Sequence, residues 1–244
     1  MIPKTIHYCW FGGKPMPTEL KKYIKTWKKK CPDYEIKEWN ESNFDINSNE
    51  FVKEAYLSKK WAFVSDYVRL YVIYKYGGIY LDTDVELLKN LDHLLNNELF
   101  LGIQQNDSYA TTGLGFGATP KNIYVKQMLD VYDGLKFDSK NVINLACPIL
   151  VTDVLKKYGY KIENRTQVLC DGAIIVYSSE YFDPIAPGSS KNLMSQNSYS
   201  VHHYTSSWLS KKTILKRKLC NLIGQNNVNK IRKFFRKNKN NEQV

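Results

Sequence analysis

The chain has 244 residues, of which 43% are hydrophobic, 14% aromatic and 24% charged, with a formal net charge of +11. That content excludes a globally disordered chain, and the length supports one large core with at most a short appendage. Residues 211–244 hold eleven basic groups against one acid, Glu242, which leaves residues 1–210 nearly neutral. The body therefore does not read as a nucleic-acid-binding domain, and the tail reads as a surface-binding appendage.

In chain order, Ile6, Tyr8 and Trp10 alternate with Thr5, His7 and Cys9, and this period of two predicts a strand from Lys4 to Trp10 ended by a Gly12-Gly13 turn. Thr18 is predicted to cap a helix with Leu20, Tyr23, Ile24, Trp27 and Cys31 at helical spacing, stopped by Pro32. Tyr34–Trp39 reads as a short strand. Lys59–Tyr76 reads as a long, mostly buried helix closed by Gly77-Gly78, and Ile79–Leu81 as a strand running into Asp82-Thr83-Asp84. Leu99–Ile103 is a further strand. The segment ATTGLGFGATPKN (110–122) lacks both the P-loop ending and the Gly-x-Gly-x-x-Gly fingerprint, and is predicted to be a loop bordering an acceptor pocket. Helices over 121–133 and 149–158 and a strand over Ala173–Tyr177 complete an α/β pattern with a largely parallel sheet. The composition shift after Ser210 predicts a domain over 1–210 and a tail over 211–244, with two short basic amphipathic helices separated by Gly224–Asn227.

The longest apolar run, Leu145–Val151, has seven residues and a proline. A membrane span needs about 20 such residues. The first fifteen residues hold no apolar run, so no secretory signal is expected. Five cysteines, odd in number and without a Cys-x-x-Cys pair, fit reduced thiols in a cytosolic protein.

The stretch most informative for chemistry is Trp61–Glu86. An apolar strand that ends in Asp82 and Asp84 delivers two carboxylates to the carboxyl edge of a parallel sheet, where open α/β folds bind ligands. Two hard oxygen donors on a tight turn suit a divalent cation, which in turn holds a diphosphate. Alone, the pair also fits a solvated acidic turn. Asp66 and Arg69, three apart, share one helix face. They fit either a plain ion pair or recognition of hydroxyls and phosphate. Lysine outnumbers arginine thirty to five in this chain, so an arginine here points to a need for its planar fork.

The run SDYVRLYVIYKYGGIYLDTDVE, with IPKTIHYCWFGG at the start and HHYTSSW at 202–208, resembles the Asp-x-Asp glycosyltransferases of family 32. These include bacterial capsule and exopolysaccharide transferases, the yeast initiating mannosyltransferase and, more distantly, the glucosylating clostridial toxins. The resemblance implies a GT-A fold, a single catalytic domain with a mixed, mainly parallel sheet. It implies a retaining, metal-dependent transfer from a nucleotide-diphosphate donor, UDP-hexose or UDP-N-acetylhexosamine, to a glycan or lipid-linked glycan acceptor. On matching positions, Trp10 stacks on the base, Asp66 and Arg69 contact ribose and sugar hydroxyls, and Tyr80 lines the nucleotide pocket. Asp82 and Asp84 flank the metal, with Asp84 the direct ligand and Asp82 also reaching the ribose. Ser206, Ser207 and Trp208 donate to the diphosphate.

Adjacent strand residues point to opposite faces, so one of His202 and His203 faces the metal. Spacing back from Trp208 favours His203, with His202 the other choice. Carboxylates with an imidazole suit Mn²⁺ or Mg²⁺, Mn²⁺ foremost. In NLACPILVTD (144–153), Cys147 stands where the family usually has glycine. The cationic tail adds an anionic membrane surface as partner, at the cytoplasmic face, with no nucleic acid expected. The competing reading is a non-catalytic basic module that binds anionic lipid or nucleic acid through its tail.

Overall fold

The structure, a computed structural model, describes residues 1–139, 142 and 144–205. Its main sheet contains β1 (Thr5–Cys9), β2 (Glu35–Trp39), β3 (Gly78–Tyr80), β5 (Leu99–Ile103), β6 (Ala110–Ala118), β7 (Gln167–Leu169) and β8 (Ile174–Tyr177). The spatial order is β2-β1-β3-β6-β5-β8-β7. Pairs β1–β2, β1–β3 and β5–β8 are parallel, whereas β3–β6, β5–β6 and β7–β8 are antiparallel. Five strands thus run one way, against β6 and β7. A small second sheet pairs β4 (Val85–Leu87) with β9 (Ser200–His202), antiparallel, Val85 opposite His202.

Helices cover both faces. On one side α2 (Glu50–Leu57), α3 (Trp61–Tyr76), α4 (Ile123–Asp130) and α5 (Cys147–Lys156) close a core around Phe51, Val68, Phe116, Tyr132 and Leu155. On the other, α1 (Thr18–Lys30), α6 (Ser179–Phe182) and the small sheet enclose Trp27, Leu81, Phe100, Phe182 and Tyr199. The mixed three-layer α/β arrangement agrees with the expected fold class. Among the described residues no helix is long and apolar enough to cross a membrane, and Cys9, Cys31, Cys147 and Cys170 are free thiols.

Three expectations are corrected. Residues 110–118 form the buried strand β6, not a loop. Their glycines leave space instead of flexibility: a Cβ at Gly115 would press on the Phe182 ring at 2.6 Å, and one at Gly117 on the Phe100 ring at 2.5 Å. Thr18 is not a cap, since α1 starts behind Pro17 with no side-chain cap bond. The long helix begins at Trp61, and α2 precedes it as a separate element whose Asn49 side chain accepts from Val52 N–H at 3.4 Å. The expected boundary at Ser210 and the tail over 211–244 lie outside the described residues.

His7 fixes the turn that launches β3. Its Nδ1 lies 3.0 Å from Trp39 Nε1 and its Nε2 2.9 Å from the Gly77 carbonyl. An indole N–H only donates, so Nδ1 accepts and the proton sits on Nε2, which donates to Gly77. At Gly78, with φ +102°, a Cβ would meet the Thr5 carbonyl at 2.7 Å, so only glycine lets β3 approach β1 here. Burial disfavours the imidazolium and pushes the His7 pKa down from 6.5 to about 4, against the raising effect of the Gly77 bond. A base with a depressed folded pKa contributes stability that is complete above its unfolded pKa and is lost as pH falls toward the folded value. The advantage of wild type over His7→Gln in urea unfolding is therefore expected to shrink by about 3 kcal/mol between about pH 7 and pH 4. A gap independent of pH would show that His7 is not held neutral.

Candidate active site

β1, β3 and β5 all point the same way, so Trp10, Asp82 and Gln104, each just beyond one of these strands, gather at one edge of the sheet. There they line a cleft of ≈ 560 Å³ together with Trp61, Asp66, Arg69, Tyr80, Asp84 and His202. This is the carboxyl edge where open α/β sheets bind ligands.

Arg69 is the hub of the floor. On α3, with its side chain only 7% exposed, it reaches Asp66 Oδ1 through Nη1 at 3.1 Å and Asp82 Oδ1 through Nη2 at 3.0 Å. The Tyr80 ring lies 4.9 Å beneath the guanidinium, and its hydroxyl donates to the same Asp82 oxygen at 3.1 Å. The Cys147 backbone at the start of α5 also faces Asp66 and favours its charged form. Burial pushes the Asp66 pKa up to about 6 and raises that of Asp82, with Arg69 opposing both shifts. The fork that arginine scarcity suggested is thus in use, joining two carboxylates from separate elements. Arg69→Lys leaves one charge for two partners. A loss of about 1.5–3 kcal/mol of charge stabilisation in the transition state lowers turnover about ten- to a hundredfold, and that fall is expected while the protein stays folded. Steady-state rates beside thermal denaturation check this, and a wild-type rate would make the helix purely structural.

Asp84 sits opposite. Its Oδ1 is 3.0 Å from His202 Nε2, while its Oδ2 accepts from the Thr205 N–H at 2.8 Å and the Thr205 hydroxyl at 3.2 Å. Burial works against the charge, yet His202 and these donors outweigh it and hold the Asp84 carboxyl well below the usual range. Burial likewise opposes an imidazolium at His202, but Asp84 outweighs it and raises the His202 pKa.

The structure brings His202, not His203, to the carboxylate pair. His203 turns away, its Nε2 2.8 Å from Glu86 Oε2 and its ring stacked 4.4 Å from that of Tyr23 on α1. Counting back from Trp208 misplaces the histidine: β9 ends at His202, and His203 lies beyond it. Ser206, Ser207 and Trp208 lie outside the described residues. Trp10 stands on the cleft wall, its indole N–H donating to the Lys14 carbonyl at 2.6 Å.

Asp82, Asp84 and His202 each offer one ligand atom within 4.8 Å of the others. The carboxylates of Asp66, Asp82 and Asp84 share this cleft with the Arg69 guanidinium and the His202 imidazole, and Lys14 and Lys59 also line it. The donor set of two oxygens and one nitrogen fits Mn²⁺ or Mg²⁺.

Sequence reasoning missed three contributors. Gly113 of β6 lies against the Asp82 carboxylate so closely that a Cβ there would overlap Oδ2. Thr205 holds Asp84, and Trp61 faces Gly12 across the cleft wall, where a Cβ would stand 2.7 Å from its ring. Thr205 was legible as a hydroxyl three residues past His202, whereas Gly113 and Trp61 act through shape and leave no local signal.

Residues 17–101 match the family model described as "Glycosyltransferase sugar-binding region containing DXD motif". Over 244 aligned residues the chain is 26% identical to an uncharacterized glycosyltransferase of Acanthamoeba polyphaga mimivirus, covering 93% of this chain and 89% of that one. It is 31% identical over 123 residues to inositol phosphoceramide mannosyltransferase 3 of Schizosaccharomyces pombe, covering 47% of this chain but 33% of the relative, so it spans about a third of that protein's length. The solved structure of PaToxG glycosyltransferase superposes with a TM-score of 0.53 at 20% identity, over 64% of this chain and 69% of that one, which shows a shared fold. The matched region carries α3, β3 and the Asp82-Thr83-Asp84 turn.

Proposed function

We propose that the chain is a metal-dependent, retaining glycosyltransferase that moves a hexose or N-acetylhexosamine from a UDP-linked donor to a glycan or lipid-linked glycan. The observation that carries this reading is the convergence of Asp82, Asp84 and His202 beside Arg69 in a cleft walled by Trp10. In it, Trp10 receives the base, its indole orientation fixed by the Lys14 carbonyl. Asp66 and Asp82 accept from ribose and sugar hydroxyls, and Arg69 adds positive charge where the diphosphate departs. Asp82, Asp84 and His202 would hold Mn²⁺ or Mg²⁺, which as a Lewis acid stabilises the leaving diphosphate.

A double displacement needs a carboxylate on the far face of the sugar. Here Asp66 is tied to Arg69, Asp82 to Arg69 and Tyr80, and Asp84 to His202 and Thr205. No side chain is therefore assigned as nucleophile, and the leaving phosphate oxygen takes the acceptor's proton on the same face. Bacterial capsule or exopolysaccharide synthesis is the proposed setting.

The test is incubation with Mn²⁺ or Mg²⁺ and a panel of nucleotide sugars, reading released nucleotide and the product's anomeric configuration. Because one relative is named a mannosyltransferase, GDP-mannose joins the UDP-sugars in that panel. Absence of release from every donor in the panel, or release indifferent to excess chelator, would sink the reading.

That relative's name also gives a lipid, inositol phosphoceramide, as acceptor, which favours a lipid-borne acceptor here. We accordingly propose that residues 211–244, with eleven basic groups, hold the protein to an anionic membrane at the cytoplasmic face. Each cation near such a surface contributes about 1 kcal/mol. The full chain is expected to sediment with anionic liposomes at low salt and to be released at high salt, whereas a form ending at Ser210 stays in solution. Equal sedimentation of both forms would remove the membrane role.

A further inference from the structure

We propose that Asp183 and Tyr204 form a brace that positions His202 and Thr205 around Asp84. The consequence for cation affinity rests on the reading of Asp82, Asp84 and His202 as the ligands, while the brace itself does not.

Asp183 follows α6 and is 0% exposed. Its Oδ2 accepts from two elements that border the cleft: the Gln105 backbone N–H at 2.9 Å and the Tyr204 hydroxyl at 2.8 Å. Gln105 opens the turn between β5 and β6, next to cleft-lining Gln104, and its side-chain amide donates to the Pro184 carbonyl at 2.8 Å. One buried carboxylate thus ties the β5–β6 turn to the chain leaving β9.

Tyr204 is the arm of the brace. Its ring centroid lies 4.0 Å from that of His202, so it backs the imidazole whose Nε2 meets Asp84. Its φ of +49° is left-handed, a region that bulky residues hold only when their surroundings over-determine it. That turn directs the Thr205 N–H and hydroxyl to Asp84 Oδ2.

The arrangement is a poor choice for stability alone. Asp183 Oδ1 is buried without a hydrogen-bond partner among the described residues, and an unsatisfied buried carboxylate oxygen is unfavourable. A side chain kept there at that cost points to a positional task. The outer support of a metal site commonly has this form, and removing such support weakens metal affinity without touching a ligand.

Tyr204→Phe deletes only the hydroxyl. Asp183→Asn keeps an acceptor oxygen that serves both donors while removing the charge. The full chain is studied in two ways: metal-free, by NMR of the His202 imidazole and amide exchange at Thr205, and by electron paramagnetic resonance titration with Mn²⁺ alone. Tyr204→Phe is expected to shift the His202 signals, speed exchange at Thr205 and weaken Mn²⁺ binding about ten- to a hundredfold, with little change in melting temperature. Asp183→Asn is expected to stay near wild type in all three. Tyr204→Phe matching wild type throughout would overturn the brace, as would Asp183→Asn proving as damaging as Tyr204→Phe. If wild type binds no Mn²⁺ while the metal-free signals still respond to Tyr204→Phe, the brace stands and the cation reading falls.

Discussion

Asp84→Asn is expected to lower metal-dependent turnover by at least about a thousandfold while the fold survives. The Thr205 N–H and hydroxyl both donate to Oδ2, so the asparagine oxygen must face Thr205 to avoid setting donor against donor. Its amide nitrogen then takes the place of Oδ1, 3.0 Å from His202 Nε2, where it donates to a neutral imidazole and offers a cation nothing. A bound cation supplies several kcal/mol of charge stabilisation in the transition state, and about 4 kcal/mol corresponds to three decades in rate. Because the replacement is isosteric and both polar neighbours keep a partner, the variant is expected to stay folded, with some stability lost along with the charge that His202 and Thr205 stabilise. Steady-state kinetics with and without Mn²⁺, together with thermal denaturation, check both halves. Turnover within tenfold of wild type would remove Asp84 from the cation site.

The floor of the cleft was largely legible in the sequence because its elements have strong periodicity. The alternation in β1, the apolar helix through Arg69 and the Gly77-Gly78 break are local signals, and together they deliver Asp66, Arg69, Asp82 and Asp84 to one edge. The scarcity of arginine marked Arg69, whose fork does bridge two carboxylates. What failed depended on distant partners. β6 looks like a loop because three of its nine residues are glycine, and the reason for two of them, the Phe100 and Phe182 rings, is remote in sequence. β4 and β9 have three residues each, too short for a periodic signal. Motif spacing back from Trp208 favoured His203, but β9 ends at His202, whose ring meets Asp84, while His203 lies beyond the strand and turns to Glu86 and Tyr23. The α2 helix did carry its signal, Asn49 before Phe51, Val52 and Ala55, which the reading passed over.

Gly113→Ala is the sharpest test of the part that the sequence concealed. Gly113 belongs to β6, and its carbonyl accepts from the Asp82 N–H at 3.0 Å, so strand and turn are locked together at the backbone. A Cβ added there overlaps Asp82 Oδ2 and approaches Arg69 Nη1 to 3.2 Å. Neither backbone can retreat without breaking that lock, and the mobile partner is the Asp82 carboxylate. Swinging it aside pulls Oδ1 from Arg69 at 3.0 Å and from the Tyr80 hydroxyl at 3.1 Å, and carries it away from Asp84 and His202. The methyl group is small and the strand is buried, so the protein is expected to remain folded with a stability loss of about 1–3 kcal/mol, the usual range for overpacking. The loss of activity is expected to be far larger, about a hundredfold or more, because about 3 kcal/mol of misdirected electrostatic stabilisation is two decades in rate. Mn²⁺ affinity should fall with it, since one of three ligands has moved. Far-UV circular dichroism, thermal denaturation and a Mn²⁺ titration of the same preparation separate these effects. An alanine variant that keeps both wild-type turnover and Mn²⁺ affinity would mean that Asp82 works from a different position than the one Gly113 admits.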